Sequence, residues 1–304
     1  MIMYRLFFLT CIVFLANSVT YAAPSERIAV AGGSITEIIY RLGEQNRIVG
    51  VDSTSQFPED AKKFPLLGYV RNVSVEGVLS LNPDLLLGED DTGPTKALKQ
   101  IAAVGVKTII IKKDNSILAL QEKITQIAEL LGVEGKGKSL LDEMQIDIDA
   151  LSYAKQHLSD SVKRTPPKVL FLLTLKNGAP IAAGNTTSAH TVIEEAGAIN
   201  ALAQYKGWEK LSPESALKLD PDVIIVMNRG QDIFEKVNAL PHFKYTTAVK
   251  NKAVYTIDGS YLLGFGPRTP QAIVELGTMI HKDFPLPAGY KFRYQHDVAS
   301  MAEH

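Results

Sequence analysis

The chain contains two copies of one short unit. Glu76-Gly-Val-Leu-Ser-Leu-Asn-Pro-Asp84 runs into the apolar Leu85-Leu86-Leu87, and Glu214-Ser-Ala-Leu-Lys-Leu-Asp-Pro-Asp222 runs into Val223-Ile224-Ile225-Val226. Each reads as a glutamate, a short helix, a Pro-Asp turn and a buried strand. Proline stops the helix because it has no N–H and its ring clashes with the preceding turn. A bare apolar run without alternation suits a parallel strand covered on both faces. A looser echo in the same order joins Ala31-Gly32-Gly33-Ser34, before a helix ending near Gly43, to Ala183-Gly184-Asn185-Thr186, before a helix ending near Gly197. Two such matches in one order predict a duplicated lobe.

Between the repeats, apolar runs alternate with helical periodicity. Strands are predicted at Ile28–Ala31, Ile48–Val51, Leu85–Leu87 and Val106–Ile111, then at Val169–Leu173, Val223–Met227 and Ala253–Ile257. Helices are predicted around Thr36–Leu42, Thr95–Val104, Ile117–Leu131, Thr191–Ala196 and Pro270–His281. This alternation predicts α/β lobes with parallel sheets. Lys138–Leu158 carries Leu140, Leu141, Met144, Ile148 and Leu151 at helical spacing and predicts one long α-helix between the lobes. The expected organisation is an N-terminal lobe over 23–136, a linking helix over 137–166, a C-terminal lobe over 167–284 and a tail over 285–304. Lobes joined this way place a ligand in the cleft between them, at the carboxyl ends of the strands.

The first 22 residues read as a signal peptide. Arg5 supplies the charge, Leu6 to Ala16 the apolar stretch, and Thr20-Tyr21-Ala22 the small-x-small cleavage pattern. The apolar run falls short of the ~20 residues that cross a bilayer. Cys11 is a poor lipoprotein site, because no small residue precedes it in Phe8-Leu9-Thr10. Cleavage after Ala22 removes the only cysteine, so the mature chain would stabilise itself in an oxidising compartment without disulfides. A net charge of −1 gives no general field for nucleic acid or anionic lipid.

Catalytic signatures are absent. There is no G-x-S-x-G elbow, Walker loop or G-x-G-x-x-G fingerprint, and none of the six histidines pairs with another at metal-ligand spacing. The expectation is that the chain is not an enzyme. Gly32-Gly33-Ser34 opens a helix and reads either as an anion cradle of backbone N–H groups or, more simply, as a tight turn with a serine N-cap. Four segments look unlike scaffolding: Val51–Ser55, Gly68-Tyr69-Val70-Arg71, Met227–Gly230 with Arg229 at a strand's carboxyl end, and Gly264–Pro270. In an extended stretch Tyr69 and Arg71 face one side. The competing readings are a half-buried tyrosine with its hydroxyl bonded, and solvated arginines.

These segments resemble the periplasmic haem-binding proteins of bacterial haem ABC importers, the HmuT type, within the helix-linked or type III class of periplasmic binding proteins. The likeness is carried by Ala31–Glu37, Gly50–Ser55, Gly68–Arg71 with Ser74–Gly77, and Gly264–Pro270, and it spans nearly the whole mature chain. It implies two Rossmann-like lobes, a monomer in the periplasm, and haem b as transported ligand. It also implies that Tyr69 ligates the haem iron, with Arg71 and Arg229 in the cleft. The partners implied are an outer-membrane receptor that supplies haem and an ABC permease dimer with its ATPase, on which Glu76 and Glu214 would dock, one from each lobe. Some members bind a second haem through a histidine in the strand that opens the second lobe. Leu175 stands in the matching stretch here, so one haem is expected. Siderophore and cobalamin carriers share the class and are the alternative.

Overall fold

The computed structural model describes residues 27–294 apart from 177–178, 229–236, 238–239 and 242, with the side chains of 175, 176 and 179 also outside the description. The first lobe is built on β1 (Ile28–Ala31), β2 (Ile48–Val51), β5 (Leu85–Glu89) and β6 (Lys107–Ile111), with a small hairpin of β3 (Gly68–Tyr69) and β4 (Asn72–Val73) beside them. The order is β2-β1-β5-β6, parallel throughout. Every residue of β1 and β5 is buried, as a strand covered on both faces requires. Alternate side chains divide between two cores. Ile28, Val30, Leu85 and Leu87 pack with α1 (Gly33–Arg41) and α4 (Ile117–Leu131). Ala29, Ala31 and Leu86 pack with Val78 of α2 (Val75–Leu79) and Ile101 of α3 (Thr95–Ala103).

The second lobe departs from a purely parallel sheet. β7 (Lys168–Lys176), β11 (Val223–Asn228) and β12 (Val254–Asp258) are parallel, as expected, and β9 (Ile199–Asn200) joins β7 in parallel. Two further strands, β8 (Ala179–Ala183) and β10 (Trp208–Lys210), add to the other edge in antiparallel register, giving the order β10-β8-β7-β11-β12. β7 turns straight back into β8, a short connection that only antiparallel pairing permits. The echo of the Gly32 loop therefore follows an antiparallel strand, β8, rather than a parallel one. What the two loops share is close backbone approach: a Cβ on Gly33 would lie 2.4 Å from the Thr54 carbonyl oxygen, and one on Gly184 would lie 2.3 Å from that of Tyr205.

The stronger repeat is a structural repeat. Asn82 and Asp220, the residues before the two prolines, both take positive φ, 44° and 39°, a conformation that Asn and Asp tolerate better than most residues. The aspartates after the prolines each accept the backbone N–H that opens a lobe: Arg27 N–H to Asp84 at 3.1 Å and Lys168 N–H to Asp222 at 2.8 Å. The opening side chains then reach back to a turn carbonyl, Arg27 to Asn82 and Lys168 to Leu219.

The linking helix α5 runs Glu134–His157, a turn earlier than its periodicity suggests, and a separate short helix α6 follows at Asp160–Arg164. Its 24 residues span ~36 Å. Leu140 and Met144 belong to a first-lobe core, Ala150 and Leu151 to a second-lobe core. Gly137 lets it cross α4 closely, since a Cβ there would lie 2.5 Å from that of Ala128. Helices α7 (Ser188–Glu195), α8 (Pro213–Leu219), Thr247–Lys250, Gly259–Leu263 and Thr269–Ile280 also belong to the second lobe. The first part of the expected tail is packed: Leu286, Tyr290 and Tyr294 rest on the second-lobe core, and the Tyr290 hydroxyl donates to buried Asp147 of α5 at 2.8 Å. No described helix is long and apolar enough to cross a membrane.

Candidate functional site

The carboxyl ends of β1, β2, β5 and β6 face those of β11 and β12 across a cleft of about 1080 Å³, lined from both lobes. Tyr69 and Arg71 both line it. Their geometry differs from the expected extended stretch. Val70 and Arg71 form the two-residue turn of the β3–β4 hairpin, in which Tyr69 pairs with Asn72. Val70 drops into the core while its neighbours stay at the cleft, Tyr69 48% exposed and the Arg71 side chain 66%. Gly68 makes the hairpin tight, with φ 98° and no room for a Cβ, which would lie 2.7 Å from the Asn72 carbonyl oxygen. Ser53 N–H to Gly68 O at 2.8 Å and Gly93 N–H to Val70 O at 2.9 Å tie it to neighbouring loops. Tyr69 therefore presents a half-exposed phenol on a rigid mount. The Arg71 guanidinium lies 3.6 Å from Asp91.

Behind this hairpin is a buried charge network that sequence reading missed. Glu89, at the end of β5, accepts from Ser34 at 2.7 Å and from Lys123 at 2.6 Å, and pairs with Lys113 at 3.1 Å. Burial alone would raise the Glu89 pKa, but Lys123 and Lys113, with the hydrogen bonds, hold it down at about 2. Lys113 also reaches Asp91 at 3.1 Å, so the network runs on to Arg71. Ser34 is not the N-cap of α1. Gly32 is, at φ 142°, and Ser34 spends its hydroxyl on Glu89. Nor is the loop a free anion cradle, since the N–H groups of Gly32 and Gly33 already donate to Asp52 and Thr54.

The floor of the cleft is a second missed feature. Arg268, in the Gly264–Pro270 segment, makes two 3.0 Å bonds to the Glu37 carboxylate, one from Nε and one from an Nη. Both residues are buried, one from each lobe. The Phe57 ring lies 3.4 Å from the guanidinium carbon. The only signals were a glutamate inside the apolar Ile35–Ile39 run and an arginine directly before Thr269-Pro270. Lys123 adds a second cross-lobe contact, to the Phe265 carbonyl oxygen at 3.3 Å.

The second-lobe wall includes Ser188, Trp208, Met227, Asn228 and Asp258. Arg229 lies outside the described residues, directly after cleft-lining Asn228. Leu175 sits in β7 opposite Pro180, with its side chain outside the description. No described residue lining the cleft is a histidine. Among the described residues, no cluster of three or more His, Cys, Asp or Glu side chains could hold a metal ion. Glu76 and Glu214 are exposed in the first turns of α2 and α8, behind N-caps Ser74 and Ser212, and neither lines the cleft.

Comparison with known proteins matches residues 28–261 to a family described as periplasmic binding protein. Among solved structures, the periplasmic heme-binding protein RhuT from Roseiflexus sp. RS-1, in apo form, superposes with a TM-score of 0.78 at 36% identity, over 86% of this chain and 100% of that one. Among curated proteins, the uncharacterized ABC transporter substrate-binding lipoprotein YvrC of Bacillus subtilis (strain 168) is 27% identical over 269 residues, 88% of this chain and 83% of its own. A vitamin B12-binding protein of Yersinia pestis (strain Pestoides F) is 26% identical over 206 residues, 67% of this chain and 70% of its own.

Proposed function

Because the chain belongs to the periplasmic binding protein family, we propose that it captures ferric haem in the interlobe cleft and delivers it to an inner-membrane ABC importer. The family and its relatives are substrate-binding proteins of ABC transporters, not enzymes. The observation that carries haem is Tyr69: a half-exposed phenol on the cleft wall, two residues from a guanidinium.

A free phenol has a pKa near 10, so offering phenolate at pH 7 costs about 4 kcal/mol. Ferric iron offsets that cost, and a nearby cation adds to the effect. Arg71 supplies the cation from the first lobe, and Arg229 supplies one from the second, near the iron or at a propionate. An anionic oxygen suits Fe(III) and loosens on reduction, which suits a carrier that must release its load. The similarity to RhuT, named as heme-binding, supports the same choice. In this reading the leader is cleaved after Ala22 and a monomer works in the periplasm. An outer-membrane receptor supplies the haem, and Glu76 and Glu214 dock on the permease dimer that its ATPase drives.

The relative named as vitamin B12-binding keeps cobalamin as the second reading. Titrating the purified protein with hemin and with cyanocobalamin decides between them. Haem carriage predicts a saturable shift of the Soret band and no comparable uptake of cyanocobalamin. Tight cyanocobalamin binding without a hemin response would make the chain a cobalamin carrier.

A further inference from the structure

The second-lobe wall holds the chain's single tryptophan. Trp208 lines the cleft and is 39% exposed. It sits on β10, an edge strand whose three residues are all exposed, in register with Ala183. An indole left this open forgoes much of the stabilisation that burying an aromatic ring gives, so its placement is poor economy for the fold alone. The mount is nevertheless rigid. Gly184 N–H donates to Gly207 O at 2.7 Å, Gly207 N–H to Asn185 O at 2.9 Å, and Asn185 N–H to Tyr205 O at 2.7 Å. Gly207, at φ 69°, makes the turn that delivers the strand. Inside the lobe the indole meets the buried ring of Phe171, centroids 6.3 Å apart and planes tilted by 58°. One side of the indole is thus anchored in the core, and the rest belongs to the wall across from Tyr69.

We propose that Trp208 is a stacking platform for the macrocycle, so that a flat ring is held between Tyr69, which takes the iron, and the indole on the opposite wall. This rests on the haem reading and adds a specificity element to it. A planar porphyrin with one axial protein ligand leaves its other face free to lie on an aromatic side chain. A ring that carries bulky groups on both faces cannot. The contact is made with the π surface and does not depend on the metal.

The test is a titration of wild type, Trp208→Ala, Trp208→Phe and Tyr69→Phe with hemin and with metal-free protoporphyrin IX. Apo melting temperatures of all four proteins check the fold. Trp208→Ala should weaken both ligands about five- to tenfold, the scale of an aromatic stacking contact. Trp208→Phe, which keeps a planar ring, should stay within about threefold of wild type. Tyr69→Phe should weaken hemin alone. Wild-type affinity in Trp208→Ala would overturn the platform while leaving haem carriage standing. A loss confined to hemin, or Trp208→Phe as weak as Trp208→Ala, would also overturn it, by showing a support for β10 rather than a π contact. Failure of wild type to bind hemin would remove both proposals together.

Discussion

Glu89, buried at the cleft lining, carries a direct consequence for stability. Its carboxylate ends an otherwise apolar buried strand and is balanced by Lys123, itself buried, and by Lys113. Replacing it by Gln leaves the Lys123 ammonium buried without its counter-charge, and breaking a buried pair from one side costs about 3–5 kcal/mol. Because the folded pKa is depressed to about 2, the stabilisation is fully present above the ordinary carboxylate value of 4.5 and is lost as pH falls from there toward 2. Urea melts of apo protein between pH 7 and pH 3 should show wild type keeping this increment down to the ordinary carboxylate value and losing part of it below, while Glu89→Gln lacks it at every pH. A Gln variant as stable as wild type at pH 7 would mean that the lysines are neutralised elsewhere. At this scale the site was half legible. Tyr69 and Arg71 stood out because a phenol and a guanidinium beside Gly68 form a local pattern. Glu37 and Arg268 pair across 231 positions, and no window of sequence reports such a contact.

At the scale of elements, α2 and α8 are duplicated parts, and no residue of either lines the cleft. A carboxylate in a first turn is favoured by the helix dipole, and Ser74 and Ser212 already cap both helices by accepting from Gly77 and Ser215. Glu76 and Glu214 hold the same first-turn place in the two repeats, and the role proposed for them is charge pairing with the permease. Charge pairs at an interface chiefly steer and orient, and salt screens them at the rim. Glu76→Ala with Glu214→Ala should leave hemin affinity unchanged and lower haem uptake by the reconstituted importer, with each single change milder. Full uptake by the double variant would assign the glutamates to the helices alone. The inner strands and the long helix were legible because uninterrupted apolar runs and 3.6-residue spacing are local signals. The β8 and β10 edge was not. Ala179–Ala183 contains a proline and mostly small side chains, and Trp208–Lys210 is exposed throughout, so both owe their form to the hairpin with β7 rather than to propensity.

At the scale of the whole molecule, the lobes are joined by one helix that belongs to both cores and by buried polar contacts at the cleft floor, Glu37 with Arg268 and Lys123 with the Phe265 carbonyl. This frame sets Tyr69 and Trp208 on facing walls of one cleft. With no histidine among the described residues lining the cleft, and leucine at 175, native mass spectrometry at excess hemin should show one haem per chain. A dominant two-haem species would show that a second ring is held without a histidine ligand. The central claim, that this cleft takes ferric haem through Tyr69, is tested most directly by the absorption spectrum of the hemin complex in wild type beside Tyr69→Phe, which removes a single oxygen. Wild type should show tyrosinate charge-transfer features, and Tyr69→Phe should lose them and bind hemin more weakly. An identical spectrum and affinity in Tyr69→Phe would contradict it.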